Sequence, residues 1–196
     1  AAMALADAGV MVSIINRAQV KDFGRGLAVR TKTDGVDSVV LARYGALLKP
    51  KAWVPPPQEA RVLQALLARR EAIAQDLQRE RNRQEKAGAA DTPALIHKSL
   101  EESIGFLAKQ LAQLQKDIDE HIDKHSNLQK DRALLQSIPA IGPQVGSNIL
   151  SVMHNHDFGS AEQLAAYLGL VPVERQSGSS VLGRARMSKA GPARIR

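Results

Sequence analysis

The feature that most constrains the fold is an apolar repeat in the middle of the sequence. Its members follow one another at alternating steps of four and three residues: Leu100, Ile104, Leu107, Leu111, Leu114, Ile118, His121, His125 and Leu128. This heptad spacing is typical of a coiled-coil seam. A shorter helical stripe precedes it, formed by Ala60, Leu63, Leu67, Ala74 and Leu77, and a turn at 88–93 separates the two. We therefore predict a long antiparallel coiled-coil hairpin over residues 58–133, whose remaining seam joins chains into a homo-oligomer.

Proline residues mark a boundary before this hairpin. Pro50 and the run 55–57 break helices and favour an extended linker. Upstream, Gly9 is placed to end a helix, and the β-branched run 10–15 is typical of a strand buried on both faces of an α/β sheet, with partner strands expected before Ala1. The sequence therefore predicts an α/β remnant at 1–54, the hairpin at 58–133 and a mainly helical part at 134–196.

Charge and composition favour a nucleic-acid partner. The formal net charge is +7 and the isoelectric point is near 9.9, which suits a polyanion, with nucleic acid ahead of an anionic membrane surface. The chain has no long apolar run and no signal segment, so we expect no membrane insertion and a location in the bacterial cytoplasm. Aromatic residues make up 3% of the chain, which favours contact with the phosphate backbone over base stacking.

The C-terminal segment concentrates this charge beside hydroxyl groups. After Val173 the sequence contains six basic residues and one acidic residue, Glu174. The basic residues are Arg175, Arg184, Arg186, Lys189, Arg194 and Arg196. The serines at 177, 179 and 180 lie among glycines in the same segment, which has almost no apolar periodicity. The composition therefore predicts a segment that binds phosphate.

Two acidic residues, Asp34 and Asp37, lie three positions apart at the start of a predicted helix. Acidic residues there satisfy free backbone N–H groups and the helix dipole, and most such pairs do only that. The alternative is that two carboxylates on one helical face hold Mg²⁺ for phosphoryl transfer, since that cation takes oxygen ligands. The residues alone leave both interpretations open.

The segment 134–150 is typical of a helix, a tight turn and a second helix, as in a helix-hairpin-helix. Gly142 and Gly146 would allow close backbone approach, and the start of the second helix would offer free N–H groups to a phosphate. An ordinary turn between two helices is the alternative.

Polar residues of the hairpin also have two interpretations. His121 and His125 are four residues apart, a spacing that suits one metal ion, but polar seam residues also set coiled-coil register. The tip at 79–86 contains Arg79, Arg81 and Arg83, which would form either a solvated face or a nucleic-acid contact.

Taken together, these segments resemble the insertion-sequence 110/116/902 class of bacterial transposases, the DEDD-type recombinases. The matching pieces follow one another in order: Lys32-Thr33-Asp34-Gly35-Val36-Asp37, Leu41-Ala42-Arg43-Tyr44, the coiled-coil middle, Ile138-Pro139-Ala140-Ile141-Gly142-Pro143, Ala166-Tyr167-Leu168-Gly169-Leu170-Val171-Pro172, Gln176-Ser177-Gly178-Ser179-Ser180 and Ser188-Lys189-Ala190-Gly191. Each piece is only suggestive, but the set in this order is specific.

The resemblance implies more than the residues themselves indicate. It implies an N-terminal RuvC-like, ribonuclease-H-type domain in which Asp34 and Asp37 are the last two of four Mg²⁺-binding acids. It also implies a dimerising coiled coil and a transposase domain in which Ser177, with Ser179 as its rival, attacks DNA. Arg175, Arg184, Arg186 and Lys189 would hold phosphates, and a structured bridge RNA would guide the enzyme, so the partners would be DNA and RNA.

Two departures from the family pattern shape the functional expectation. No residue matches the first Asp and the Glu of the acidic set, and the sequence stops where the family usually continues. We therefore expect a chain truncated at both ends that is inactive alone. The alternative function is a non-catalytic, coiled-coil-dimerised module that binds nucleic acid.

Overall fold

The computed structural model describes residues 2–29, 31, 33–177, 181–187, 191, 192 and 195. The chain divides into two compact units, Ala1–Pro55 and Pro56–Arg196. Most of the described residues are helical. No helix in these ranges is long and apolar enough to cross a bilayer.

The first unit contains three helices, α1 (Ala2–Asp7), α2 (Arg17–Gly26) and α3 (Asp34–Leu48). Gly9 follows α1 with a φ of 76°, a left-handed conformation that glycine adopts without strain, so it ends the helix as predicted. The rings of Phe23 and Tyr44 meet edge to face with centroids 5.3 Å apart and join α2 to α3.

The predicted strand at 10–15 is not formed within the described part of the chain. The segment is extended, and its long-range hydrogen bonds are Trp53 N–H to the Val12 carbonyl at 2.7 Å and Ser13 Oγ–H to the Pro50 carbonyl at 3.1 Å. Met11 is 84% exposed. A β-branched run becomes a strand only where another strand pairs with it, and these residues have no such partner. The RuvC-like sheet therefore stays a prediction.

The second unit begins with a helical hairpin, α4 (Gln58–Gly88) and α5 (Ala94–Asp123). The helices are antiparallel: His121 of α5 donates from Nε2 to the Glu59 carbonyl at 2.8 Å, and Arg70 Nε donates to Gln115 Oε1 at 2.9 Å. On α4 the buried residues are Ala60, Leu63, Leu67, Ile73 and Leu77. This matches the predicted stripe except that Ile73, rather than Ala74, is buried.

The predicted apolar seam is interrupted after Asp123, where α5 ends. Lys124 caps α5, His125 precedes α6 (Ser126–Gln136), and Leu128 reaches the core from this separate helix. The prediction of one unbroken helix to Leu128 is therefore wrong, because α6 must change direction to bury Leu128. Residues 100–114 of the seam are only half-buried on α5. Coiled-coil geometry and oligomerisation stay predictions.

Two more helices follow, α7 (Pro143–Asn155) and α8 (Ala161–Tyr167). One core cluster joins the base of the hairpin to α6 and α7; its buried residues are Leu63, Leu67, Ile118, Ile122, Leu128 and Leu150. The buried Asn155 adds a polar link, donating from Nδ2 to the Ala60 carbonyl at 3.0 Å. The base of the hairpin, α6 and α7 therefore share one core.

The chain continues into two antiparallel strands, β1 (Pro172–Ser177) and β2 (Val181–Met187), which we call the basic ribbon. Ser177 pairs with Val181 and Arg175 with Gly183, but the register shifts before Val173, which pairs with Arg186. The sequence analysis predicted no strands here.

Candidate nucleic-acid interface

The two predicted metal ligands lie in the first turn of α3. Thr33, not Asp34, is the N-cap: its Oγ1 accepts from Val36 N–H at 3.3 Å. The Asp37 N–H donates to the Thr33 carbonyl at 2.9 Å, so the capping of this turn does not require either acidic side chain. Both carboxylates are exposed, and no described side chain pairs with them.

This arrangement leaves Asp34 and Asp37 available for a cation. They lie one helical turn apart on the same face, a spacing that lets two carboxylates reach one ion. Mg²⁺ commonly uses one or two carboxylates and completes its shell with water and substrate phosphate, so the pair fits such an ion. No cluster of three or more potential metal-binding side chains occurs among the residues that the structure describes.

The predicted helix, tight turn and second helix are present, formed by α6, residues 137–142 and α7. Ala140 has a φ of 71°, Gly142 is the N-cap of α7 without any side-chain cap, and Pro143 is the first helical residue. Among the described residues, the N–H groups of Gln144 and Val145 have no hydrogen-bond acceptor. This end of α7 therefore offers two backbone donors and the positive end of the helix dipole.

The two glycines of this element differ in accessibility. Gly142 is exposed, whereas Gly146 is buried and its N–H donates to the Gly142 carbonyl at 2.9 Å. A Cβ at Gly146 would lie 3.6 Å from Ile141 Cγ2, an ordinary contact. Gly142 is thus at the accessible end of α7, and Gly146 packs inside the turn.

A groove of about 740 Å³ separates the start of α7 from the hairpin. Arg70, Gln115 and Asp119 line it together with residues 142–145. Gln115 Nε2 donates to Asp119 Oδ2 at 3.2 Å, and Asp119 also pairs with Arg132 at 3.1 Å. Arg70 therefore lines the same groove as the start of α7. The sequence analysis missed Arg70, whose position depends on how the hairpin packs.

The basic ribbon presents Arg184 and Arg186 on β2. Both are exposed, and neither pairs with an acidic side chain in the described part of the chain. The register shift places Arg186 opposite Val173, while Gly183 is opposite Arg175, two residues further along β1. Arg186 and Gly183, three positions apart, thus share one face of the ribbon, which an uninterrupted strand would not allow.

Several predicted site residues lie outside this description. Ser177 is the last residue of β1, and the structure describes its backbone but not its side chain. The side chain of Arg175 is likewise not described. Ser179, Ser180 and Lys189 lie outside the description altogether. The assignment of the nucleophile therefore stays a prediction from the family resemblance.

Gly191 lies against the end of α8. Gly191 has a φ of 79°, and a Cβ built on it would lie 1.9 Å from the Tyr167 carbonyl oxygen. No side chain fits in that space, so a glycine is required for this approach. The motifs at 166–172 and 188–191, far apart in sequence, therefore contact each other through Gly191.

The polar residues of the hairpin have local partners. His125 follows α5, yet its ring lies close to that of His121, with centroids 4.5 Å apart. His125 Nδ1 donates to the His121 carbonyl at 2.7 Å, and His121 Nε2 donates to the Glu59 carbonyl, so each ring uses one nitrogen on the backbone. At the tip, Arg79 pairs with Asp76, and Arg83 pairs with Glu80. These pairs reduce the net positive charge that the hairpin tip offers to a nucleic acid.

Comparison with known proteins gives matches over both ends of the chain. The family described as "Transposase IS116/IS110/IS902 family" matches residues 132–196, and a second transposase family matches residues 1–87. The chain is 33% identical over 186 residues to a "Pilin gene-inverting protein" of Moraxella lacunata and 32% identical to one of Moraxella bovis. Each alignment covers 94% of this chain and 56% of the relative, so the chain spans about half the length of these relatives.

Proposed function

Because this chain belongs to the IS116/IS110/IS902 transposase family, we propose that it takes part in the cleavage and exchange of DNA strands. The observation that carries the proposal is the order of the matches: a transposase family over residues 1–87, another over the last 65 residues, and gene-inverting relatives across both. The name of those relatives refers to gene inversion, a rearrangement of DNA. The protein would act on DNA in the bacterial cytoplasm, at the nucleoid.

The chemical step is a transesterification at a DNA phosphodiester. Ser177 Oγ attacks the phosphorus, a bond from Oγ to phosphorus forms, and the bond from phosphorus to one deoxyribose oxygen breaks. The serine proton passes to solvent or a nearby base, and the departing oxygen takes up a proton. A hydroxyl of a second strand then attacks the phosphoserine and releases Ser177. Ser179 is the alternative nucleophile, because the serine cluster allows the family motif to shift by two positions.

Asp34 and Asp37 are the residues that would hold Mg²⁺. When bound, this ion would neutralise charge that develops on the phosphate oxygens. The exposure of both carboxylates, and the capping of their helix by Thr33 instead, support this assignment.

The DNA backbone would be held at two places in the second unit. At the basic ribbon, Arg184 and Arg186 would contact phosphates together with Arg175 and Lys189. At the groove, the N–H groups of Gln144 and Val145 beside Gly142 would bind another phosphate, with Arg70 close by. Gly146 would contribute by keeping the turn compact.

Two partners besides DNA follow from the family resemblance. One is a structured bridge RNA that pairs with target and donor DNA. The other is a second copy of the chain, joined through the coiled-coil hairpin, so that one subunit's Ser177 works with another's Asp34 and Asp37. Mixed dimers of Ser177→Ala and Asp37→Ala full-length gene products test this: recovery of strand exchange supports shared sites, and no recovery contradicts them.

The competing function is a non-catalytic module that binds nucleic acid, which the basic ribbon and the helix–turn–helix would also serve. A cleavage assay on the full-length gene product with cognate DNA, guide RNA and Mg²⁺ separates the two. We expect a covalent protein–DNA adduct that Ser177→Ala abolishes while DNA affinity is kept. Failure of the unmodified protein to form an adduct, despite tight DNA binding, would support the module instead.

A further inference from the structure

Three aromatic rings form a cluster at the surface of the second unit. The centroids of His156 and Tyr167 are 4.7 Å apart, those of Phe158 and Tyr167 are 5.5 Å apart, and those of His156 and Phe158 are 6.0 Å apart. The Tyr167 hydroxyl and His156 Nε2 share a hydrogen bond of 2.9 Å. We call these three residues the aromatic cluster.

The cluster is fixed in position but remains accessible. Tyr167 is 40% exposed and His156 is also exposed, so this cluster does not belong to the buried core at the base of the hairpin. Mutual ring contacts and the hydrogen bond restrict the Tyr167 side chain, which lowers the entropy lost when a ligand stacks on it. Partial burial lowers the pKa of His156, so its ring is neutral at neutral pH.

The cluster lies next to the basic ribbon. Tyr167 is the last residue of α8, and β1 begins five residues later at Pro172. Gly191, four positions after the end of β2, packs against the Tyr167 carbonyl. Tyr167 therefore lies five residues before β1 in sequence and in contact with a residue that follows β2, the strand that contains Arg184 and Arg186.

The aromatic cluster and the arginines of the basic ribbon together suit a single strand of DNA. Exposed cations attract backbone phosphates, and an accessible aromatic ring beside the same ribbon stacks on a base that has left its pair. A fully paired duplex keeps its bases stacked on one another and would gain nothing from such a ring. A strand that is opened for cleavage or exchange presents unpaired bases.

We propose that the aromatic cluster is a stacking site for an unpaired DNA base, next to the ribbon that holds the adjoining phosphates. The proposal rests on the proposed function only in taking DNA as the ligand. Tyr167 supplies the stacking surface, and His156 and Phe158 keep its ring in place.

The test uses the whole 196-residue chain and single-stranded oligonucleotides with one 2-aminopurine base, whose fluorescence is quenched on stacking. We expect quenching with the natural chain and with Tyr167→Phe, and none with Tyr167→Leu. The affinity of Tyr167→Leu for single strands should fall about tenfold, and its affinity for a fully paired duplex should not change. Phe106→Leu is the matched control, because Phe106 is an aromatic residue of α5 that is 60% exposed and is not part of the aromatic cluster.

A second measurement does not depend on the folding of a variant. Replacing single bases of the oligonucleotide by abasic sites should weaken binding to the natural chain at one position and leave the others unchanged. Equal losses at all positions, or equal losses of Tyr167→Leu on single strands and duplex, would overturn the stacking site while DNA binding stands. Absence of any DNA binding by the natural chain would overturn both proposals.

Discussion

The close contact between Gly191 and the end of α8 gives a sharp prediction. In Gly191→Ala the new Cβ would lie 1.9 Å from the Tyr167 carbonyl oxygen, whereas ordinary contacts begin near 3.4 Å. The segment and α8 must then separate by about 1.5 Å. The φ of 79° adds a further cost for an L-residue, of order 1–3 kcal/mol.

The obstacle is a backbone atom at a helix end, so no side chain can rotate to make room. Either α8 shifts or the segment around residue 191 detaches, and detachment is the cheaper response because little of the core depends on it. We therefore expect a local effect. The core cluster at the base of the hairpin should be unchanged.

Hydrogen exchange read by mass spectrometry measures this directly. Gly191→Ala should lose protection in the basic ribbon and at the end of α8, with unchanged protection in α4 and α5. Gly159→Ala is the matched control, because its Cβ would meet only the side-chain amide of Gln163 at 3.4 Å, an ordinary contact distance. Protection of the ribbon in Gly191→Ala equal to that of the natural chain would refute the reasoning.

Three further predictions concern stability and DNA affinity. Leu150→Ala removes a fully buried core residue and should lower the free energy of unfolding by about 2–5 kcal/mol in urea titrations. Leu134→Ala, at a residue that is 68% exposed, should change the free energy of unfolding by less than about 0.5 kcal/mol. An equal loss of stability in Leu150→Ala and Leu134→Ala would contradict the assigned core. Partial burial lowers the pKa of His156 from its ordinary 6.5. The imidazole therefore takes up its proton at a higher pH in the unfolded chain than in the folded chain. The free energy of unfolding should therefore fall as the pH drops below about 6.5, and His156→Gln should lose part of that pH dependence. The same pH profile for the natural chain and His156→Gln would argue against partial burial of this ring. Arg184→Gln and Arg186→Gln should each weaken DNA binding and reduce the salt dependence of log K by about one unit, and an unchanged slope would show that these cations do not contact phosphates.

Local signals in the sequence predicted much of the helical structure. The stop of α1 at Gly9, the turn between α4 and α5, and the two helices joined by a tight turn near Gly142 depend on residues close together in sequence, so they could be recognised without a structure. The stripe from Ala60 to Leu77 was recognised for the same reason. Each of these elements follows from helix propensity, capping and periodicity.

Elements that depend on distant partners were missed. The run 10–15 has strand composition but no pairing strand in the described part of the chain, and composition alone cannot supply one. Conversely, the sequence over 172–187 is too polar and glycine-rich to show strand periodicity, yet β1 and β2 pair with each other. The break at Lys124 was hidden because Leu128 keeps the heptad spacing while belonging to another helix.

Some residues of the candidate site were recognisable from local sequence, and others depend on distant contacts. The arginines of the ribbon and the exposed start of α7 were recognisable from composition and turn residues. The position of Arg70 depends on packing against residues 45 or more positions away, and the contact of Gly191 with Tyr167 joins residues 24 positions apart. No local sequence pattern encodes either contact. The aromatic cluster was hidden for a similar reason, because His156, Phe158 and Tyr167 come from the end of one helix, a loop and a second helix.

The most direct test of the account is to identify the residue that becomes joined to DNA. The full-length gene product is incubated with cognate DNA, guide RNA and Mg²⁺, digested with protease and nuclease, and its peptides are examined by mass spectrometry. The account predicts a nucleotide phosphate on Ser177 that is absent from Ser177→Ala and kept in Ser179→Ala. A nucleotide on any other residue, or cleavage of DNA without a covalent adduct, would contradict it.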